Sequence, residues 1–422
     1  MKKRFGSSRR NFLGTVGKGA LGGIAGAMAL GSRSAAARTE ANHRIRLALI
    51  GCGAMGTRHL EALANQADAE VVAVCDAYIA RYQAAARKVA GKTGNTPDGY
   101  QDYRRVLDRD DIDAVYIAAP GHWHALMTIH ACQAWKDVYV EPPVATSVLE
   151  GRAMVNAARR YGRVVQAGTQ QRSQGPVRDA VAVVTGGKLG AVALAGAWVG
   201  TNGGSGVRET PGRVPEGLDW DLWLGPAPWA PYSPQRFGGF RAWRDYAHGE
   251  LTNTGVHLLD MVQWGIGEDR PVSVQAVGDG ENVDALFEYK GCTVAWQQRH
   301  GNAYPTKAYG VRFQGTGGRV TMDAGHFVAE PASLGIPGTR QAGDRGAGLC
   351  DHHNDFLECI RTRNRPNADI EIAHRSTTTC LLAAIAMHCG RKLCWDGAAE
   401  RFVDDVQANR RLLRAYRAPW HL

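Results

Sequence analysis

Six residues, Gly51-Cys52-Gly53-Ala54-Met55-Gly56, follow an apolar run, and an acid, Asp76, ends the next apolar run twenty residues later. That spacing has a chemical meaning. Gly51 permits a tight turn, Gly53 lets a pyrophosphate approach the backbone, and Gly56 packs a helix against a strand. The amides of Ala54 and Met55, at the start of that helix, are then free to face an anion. Asp76 can accept both ribose hydroxyls of an adenosine and would repel a 2′-phosphate, which favours NAD over NADP. Arg81 nearby keeps NADP open.

A second group of residues suits proton transfer. In "TNTGVHLLDMVQWGIG", Asn253, His257, Asp260 and Trp264 fall on one stripe at helical spacing. A histidine near a helix start, just after a glycine-rich turn, is placed for acid–base chemistry. Tyr246 stands upstream as a helper. His248, Glu250, His257 and Asp260 match no standard metal spacing, so no metal is expected. Ahead of them runs "VPEGLDWDLWLGPAPWAPYSPQRFGGFRAWRDYAHG", with Trp220, Trp223, Trp229 and Trp243. Aromatic faces beside Asp and Arg are what sugar pockets use. At least half of these rings are nevertheless expected to be packed wall, because aromatics supply large burial.

These residues need elements to hold them. "RIRLALI" and "AEVVAVC" read as strands, "DIDAVYIAAP" as a strand ending at Pro120, and "KDVYVEPP" and "RVVQAGTQQ" as two more. Helical patterns alternate with them ("TRHLEALAN", "HALMTIHACQAW", "SVLEGRAMVNAARRYG"), which predicts a doubly wound parallel sheet. Ligands bind beyond the carboxyl ends of such strands. Ala119, His124, Glu141 and Gln170 should therefore rim one crevice with the glycine loop and bind the cofactor there, with His122 beside them. From about Ser173 the runs become β-like without intervening helices, as in "AVALAGAWVG" and "YGVRFQGTGGRVTM", which predicts a mainly antiparallel sheet. The chain thus reads as α/β, with an NAD-binding domain over 43–167 and a substrate-binding and oligomerisation α/β domain over 168–422. Two amphipathic helices close it, the second stopping at Gly390, and His352 at the start of the first is given a structural role.

The N-terminus points out of the cytoplasm. Ser8-Arg9-Arg10-Asn11-Phe12-Leu13 is a twin-arginine pattern, followed by a glycine-crowded apolar run and "SAAARTE". Cleavage after Ala37 is expected, with the twin-arginine export machinery as partner and the periplasm, or another exported site, as destination. Residues 1–37 hold seven Lys and Arg and no acid, so without them the formal charge of +10 falls to +3. The basic balance is a targeting effect, and no nucleic-acid partner is expected. Nine cysteines with no Cys-x-x-Cys pair read as mostly reduced core residues, with Cys389–Cys394 left open as a pairing.

The order "IGCGAMG…H", "VCDAY", "IDAVYIAAPGHWHA", "KDVYVEPPVATSVLEGRAMVNAARRYGRVVQAGTQQRS", "VPEGLDWDLWLGPAP" and "GELTNTGVHLLDMVQW" resembles the glucose–fructose oxidoreductase/inositol dehydrogenase family (Gfo/Idh/MocA) over nearly the whole mature chain. The resemblance implies NAD(P) in the crevice, a sugar, polyol or glycoside substrate, and an open sheet that forms a homo-oligomer, a dimer or tetramer. His257 matches the family's catalytic histidine. Two departures matter. Glu141-Pro142-Pro143 puts Pro142 where the family has a lysine that polarises the reacting oxygen, and Asn253 stands where many members have Asp. An NAD-dependent glycoside hydrolase branch of this fold also lacks that lysine.

Folded export would carry a bound nucleotide to a place with no pool to exchange it. Turnover must then regenerate the cofactor in place. Hydride exchange between two sugars does so, and so does a redox-neutral glycosidase cycle. A non-catalytic sugar-binding protein is the third reading, suggested by the lost lysine.

Overall fold

The computed structural model describes residues 44–201, 209–278, 282–300, 309–323, 326–334 and 345–422. The expected leader over 1–37 lies outside them. Strands β1 (Ile45–Ile50), β2 (Ala69–Cys75), β3 (Asp98–Tyr100), β4 (Ala114–Ile117), β5 (Asp137–Val140) and β6 (Val165–Ala167) form a parallel sheet in the order β3-β2-β1-β4-β5-β6. Its central strands are apolar from end to end because helices cover both faces. Helices α1 (Ala54–Leu63) and α2 (Ile79–Thr93) pack on one face through Leu60, Leu63, Ala85 and Val89. Helices α3 (Gly121–Gln133) and α4 (Val148–Arg160) pack on the other through Leu126, Met127, Met154 and Val155. The strand order reverses between β1 and β4, and a crevice opens there beyond their carboxyl ends.

Helix α3 begins earlier than its sequence pattern suggests. Pro120 is its N-cap, so His122 and His124 sit in the first turn rather than in a strand-end loop. Proline suits a helix start, since a missing N–H costs nothing there.

The second sheet has nine strands: β7 (Val192–Thr201), β8 (Ser273–Gly278), β9 (Val283–Tyr289), β10 (Cys292–His300), β11 (Tyr309–Gly315), β12 (Gly318–Asp323), β13 (His326–Glu330), β14 (Leu393–Asp396) and β15 (Arg401–Phe402). Their order is β13-β12-β11-β7-β10-β9-β8-β14-β15, antiparallel except for β7 beside β10. One face packs under helices. The other leaves Leu194, Val277, Leu286 and Val328 exposed.

The segment expected as one helix over 252–267 is two. Helix α5 (Gly249–Asn253) stops at Thr254, and α6 (Gly255–Ile266) starts afresh. At the junction a Cβ on Gly255 would lie 3.2 Å from the Trp296 ring, so the backbone and the sheet meet closely there.

Helix α7 (Arg345–Thr362) adds Phe356 and Leu357 to the first sheet's core. Helix α8 (Ile370–Cys389) joins the two layers. Ile370 and Ala373 enter the core of the parallel sheet, while Cys380–Ala386 enter that of the second. Gly390 ends it in the left-handed conformation (φ 66°).

The C-terminal segment then crosses back as a strap. Arg414 donates to Glu150 and to the carbonyl of His122, each at 2.7 Å, and the Tyr416 hydroxyl donates to Glu150 at 2.6 Å. Arg417 binds the Gly225 carbonyl and Asp221, and Trp420 stands edge-on against Trp123 at 4.8 Å. Burial alone would raise the Glu150 carboxyl. The Arg414 charge and hydrogen bonds from Tyr416, Arg414 and Thr146 bring it below its ordinary value instead. All nine cysteines are free thiols, Cys389 and Cys394 included. Among the described residues no helix is long and apolar enough to cross a membrane.

Candidate active site

One crevice of about 740 Å³ takes its lining from both sheets. Gly51, Gly53, Ala54, Met55 and Asp76 form one part of it. Gly51 has φ +97°, and a Cβ there would sit 2.5 Å from the Ala118 carbonyl carbon, so only glycine fits. Gly56 acts by packing: its Cβ would lie 1.9 Å from the Gly51 oxygen, and it does not line the crevice. Gly53 has the opposite character, with nothing within 4 Å of where a Cβ would be. Its backbone is open to whatever the crevice holds.

Asp76 organises the same loop. Its Oδ2 accepts the Cys52 amide at 2.8 Å and its Oδ1 the Tyr78 amide at 2.9 Å. Burial raises the carboxyl's pKa, while the Arg81 charge and those two amides oppose the rise. A glycine loop at a helix start, with a fixed acid at the neighbouring strand end, fits a dinucleotide's pyrophosphate and ribose.

Glu141, Pro142, Ala119, His124, Gln170, Asn253 and His257 line the rest of the crevice. His257 Nδ1 lies 3.1 Å from Oε1 of Gln171, the neighbour of Gln170, a partner that no sequence spacing marks. Desolvation lowers the His257 pKa, and Glu141 and Asp260 pull the other way. Asn253 donates to Glu250 at 3.1 Å, which holds its amide in place. His124 is wedged between the Ala119 and Pro143 carbonyls, 2.7 and 2.8 Å from its two ring nitrogens. Burial lowers its pKa, against those two hydrogen bonds.

Several expected residues are elsewhere. Tyr246 is wholly buried outside the crevice lining. Its hydroxyl takes a 3.1 Å hydrogen bond from Arg236, whose guanidinium also stacks on Trp243 at 4.0 Å. Tyr246 therefore stands in the wall behind the crevice lining, where its hydroxyl serves Arg236. Asp260, although one stripe with His257, turns inward to accept two bonds from Arg172 and one from Ser376. His122 donates to the Trp223 carbonyl, and His352 bonds Ser173 and the Ala167 carbonyl. Both are structural. Of the four tryptophans, only Trp223 lines the crevice, Trp220 stacks behind it at 4.6 Å, and Trp229 is exposed. Phe237, Phe240 and Tyr309 complete the aromatic wall, and isolated aromatics carry no sequence signal that would mark them.

A doubly wound nucleotide-binding sheet sharing its crevice with a second, open sheet defines a two-part dehydrogenase-like class. The chain belongs to the Gfo/Idh/MocA oxidoreductase family: residues 45–169 match its NAD-binding Rossmann fold, and residues 180–422 its C-terminal alpha/beta domain. A curated relative, glycosyl hydrolase family 109 protein 1 of Shewanella sp. (strain MR-4), is 34% identical over 120 residues, which are 28% of this chain and 26% of that protein. The chain thus spans about a quarter of that relative's length. The fold resembles the WlbA dehydrogenase of Chromobacterium violaceum, solved in complex with NADH and UDP-GlcNAcA (TM-score 0.68, 18% identity, 85% of this chain and 97% of that one). It also resembles the aldose-aldose oxidoreductase of Caulobacter crescentus, solved with glycerol (TM-score 0.64, 21% identity, 83% and 100%).

Proposed function

We propose that the protein is an NAD(H)-dependent oxidoreductase of a sugar or glycoside that keeps its cofactor between turnovers. One observation carries this reading: the glycine loop with Asp76, and His257 with Asn253, line the same crevice. When bound, the nicotinamide supplies hydride transfer to and from a carbinol carbon. His257 takes the proton of the hydroxyl, and Asn253 and the aromatic wall orient the ring. Asp76 gives the preference for NAD over NADP. The twin-arginine leader supports folded export to the periplasm with the nucleotide aboard, and the exposed apolar residues of the second sheet support a homo-oligomer.

A second reading is a redox-neutral glycosidase. Pro142 lines the crevice without charge or donor, and the relative from Shewanella is named a glycosyl hydrolase. In that cycle a glycoside is oxidised, the proton acidified by the new carbonyl is removed, and the glycosidic substituent leaves. Water then adds, and the hydride returns. The non-catalytic reading keeps sugar binding alone.

Acid extraction of protein purified with its leader intact tests all three. NAD(H) is expected in the extract, and its absence removes both retained-cofactor readings. Addition of aldoses or glycosides should change the bound nicotinamide's absorbance, and silence across both panels leaves only sugar binding. Net release of p-nitrophenol from a p-nitrophenyl glycoside selects the glycosidase.

A further inference from the structure

Glu141 follows β5 directly, and one of its carboxylate oxygens is spoken for inside the protein. Oε1 lies 2.9 Å from His59 Nε2, on the first turns of α1. Across the same ring, His59 Nδ1 lies 3.0 Å from His353 Nε2 on α7, 294 residues away in sequence. Both histidines are 0% exposed. Tyr116, Tyr139 and His352 wall the pair, with ring centroids of Tyr116 and Tyr139 at 5.2 and 5.5 Å from His353. Glu141 lines the crevice together with His124 and His257, and its charge acts on both rings. A Cβ at Gly168 would come within 2.4 Å of Oε1, so glycine there is what gives the carboxylate its seat.

In a relay the carboxylate accepts, so a singly protonated His59 carries its hydrogen on Nε2. Its Nδ1 is then a lone pair, and His353 must carry its hydrogen on Nε2 to reach it. That leaves His353 Nδ1 as a buried nitrogen with no hydrogen-bond partner. An orphaned polar atom costs stability. Burial and the two neighbouring histidines keep His353 neutral, well below its ordinary pKa.

We propose that His59 and His353 are positioning residues for Glu141: the two imidazoles run inward as a relay that holds Oε1, so that Oε2 is presented to the crevice as a fixed acceptor. This rests on the reading of the crevice as an active site. A fixed carboxylate acceptor in the crevice that His257 also lines selects a ligand that donates at that point, such as a carbohydrate hydroxyl. It gives the substrate an anchor at the strand end where Pro142 offers none.

The relay is tested apart from the activity by NMR of the full chain labelled with 15N-histidine. His59 and His353 should both be found as Nε2–H tautomers, and His59 should change its state in Glu141→Gln, where the amide can donate. His59 carrying its hydrogen on Nδ1 would overturn the relay. For the positioning role, His59→Leu should raise KM for the active aldose or p-nitrophenyl glycoside about ten- to a hundredfold, the weight of a hydrogen bond to a charged group. His59→Gln, which keeps a donor, should recover most of that loss. Should His59→Leu fail to fold, His353→Phe fills the same space without nitrogen. It should retain its nucleotide yet shift KM and the pH profile of turnover. Unchanged KM and pH profile in nucleotide-loaded His353→Phe would sink the proposal. If no probe turns over, the active-site reading fails, while the tautomers still decide the relay.

Discussion

His257 Nδ1 faces the side-chain oxygen of Gln171 at 3.1 Å, which makes that nitrogen the donor and leaves Nε2 as the ring's basic lone pair. Desolvation keeps the ring neutral at neutral pH. His257→Ala should therefore lower turnover by about two to four orders of magnitude, the usual weight of a general acid–base group, with nucleotide content unchanged. Gln171→Leu frees the tautomer and should cost about tenfold. Tyr246→Phe should leave turnover near normal, since its hydroxyl serves Arg236. Steady-state kinetics on an active aldose or glycoside reads all three. Normal turnover in His257→Ala would place the base elsewhere.

Asp76→Ala removes both the ribose acceptor and the partner of the Cys52 amide. Affinity for NAD should fall about ten- to a hundredfold, and the preference over NADP should narrow. Calorimetric titration of nucleotide-free protein with each dinucleotide measures both. A preference that does not move would mean that Asp76 does not face the ribose.

Pro142→Lys would bring an ammonium beside Glu141. We expect no gain on the native substrate, because His59 holds Oε1 of Glu141 and an ammonium would compete with the substrate for Oε2. Weak new oxidation of free aldoses is the expected side effect. A gain of about a hundredfold on the native substrate, the scale of one electrostatic stabiliser, would identify a decayed dehydrogenase.

Buried histidines set the response to acid. The His122 pKa is lowered to about 3 and that of His352 to about 4, both by burial, from 6.5 in an open chain. Between those values the unfolded chain binds protons that the folded one refuses, so stability falls as pH drops from 6.5 through about 4. Carboxylates such as Glu371, held at about 2 by Arg152, contribute losses only at lower pH. Thermal unfolding should show Tm declining across that window, with a shallower slope in His352→Gln. A flat Tm would mean that these rings are already charged in the fold.

What the sequence disclosed divides by the range of the interactions involved. Gly51, Gly53 and Asp76 were legible because their work is done by backbone shape and strand order, which local pattern specifies. His257 was legible for the same reason, as the third residue of a helix. Asp260 was not, because its direction is decided by Ser376, 116 residues on. Tyr246 lies in an irregular aromatic stretch, where Arg236 and its ion pair with Glu209 choose the side a ring faces. The break at Thr254 depends on Trp296 beneath it. His59 stood in the motif's shadow: only α7 folding over it reveals what its second nitrogen does.

The strap also sets an order of events. Its bonds from Arg414 to Glu150 and to His122 span 264 and 292 residues, and its Arg417 bonds brace the short helix Trp220–Leu224 that carries Trp223. Contacts of such separation form late, because the longest loops must close first. The glycine loop and Asp76 lie more than 300 residues before the braces and are made well ahead of them. The wall is therefore latched only after the cradle can form. A chain stopped short of Leu412 would keep its cradle and lose its latch.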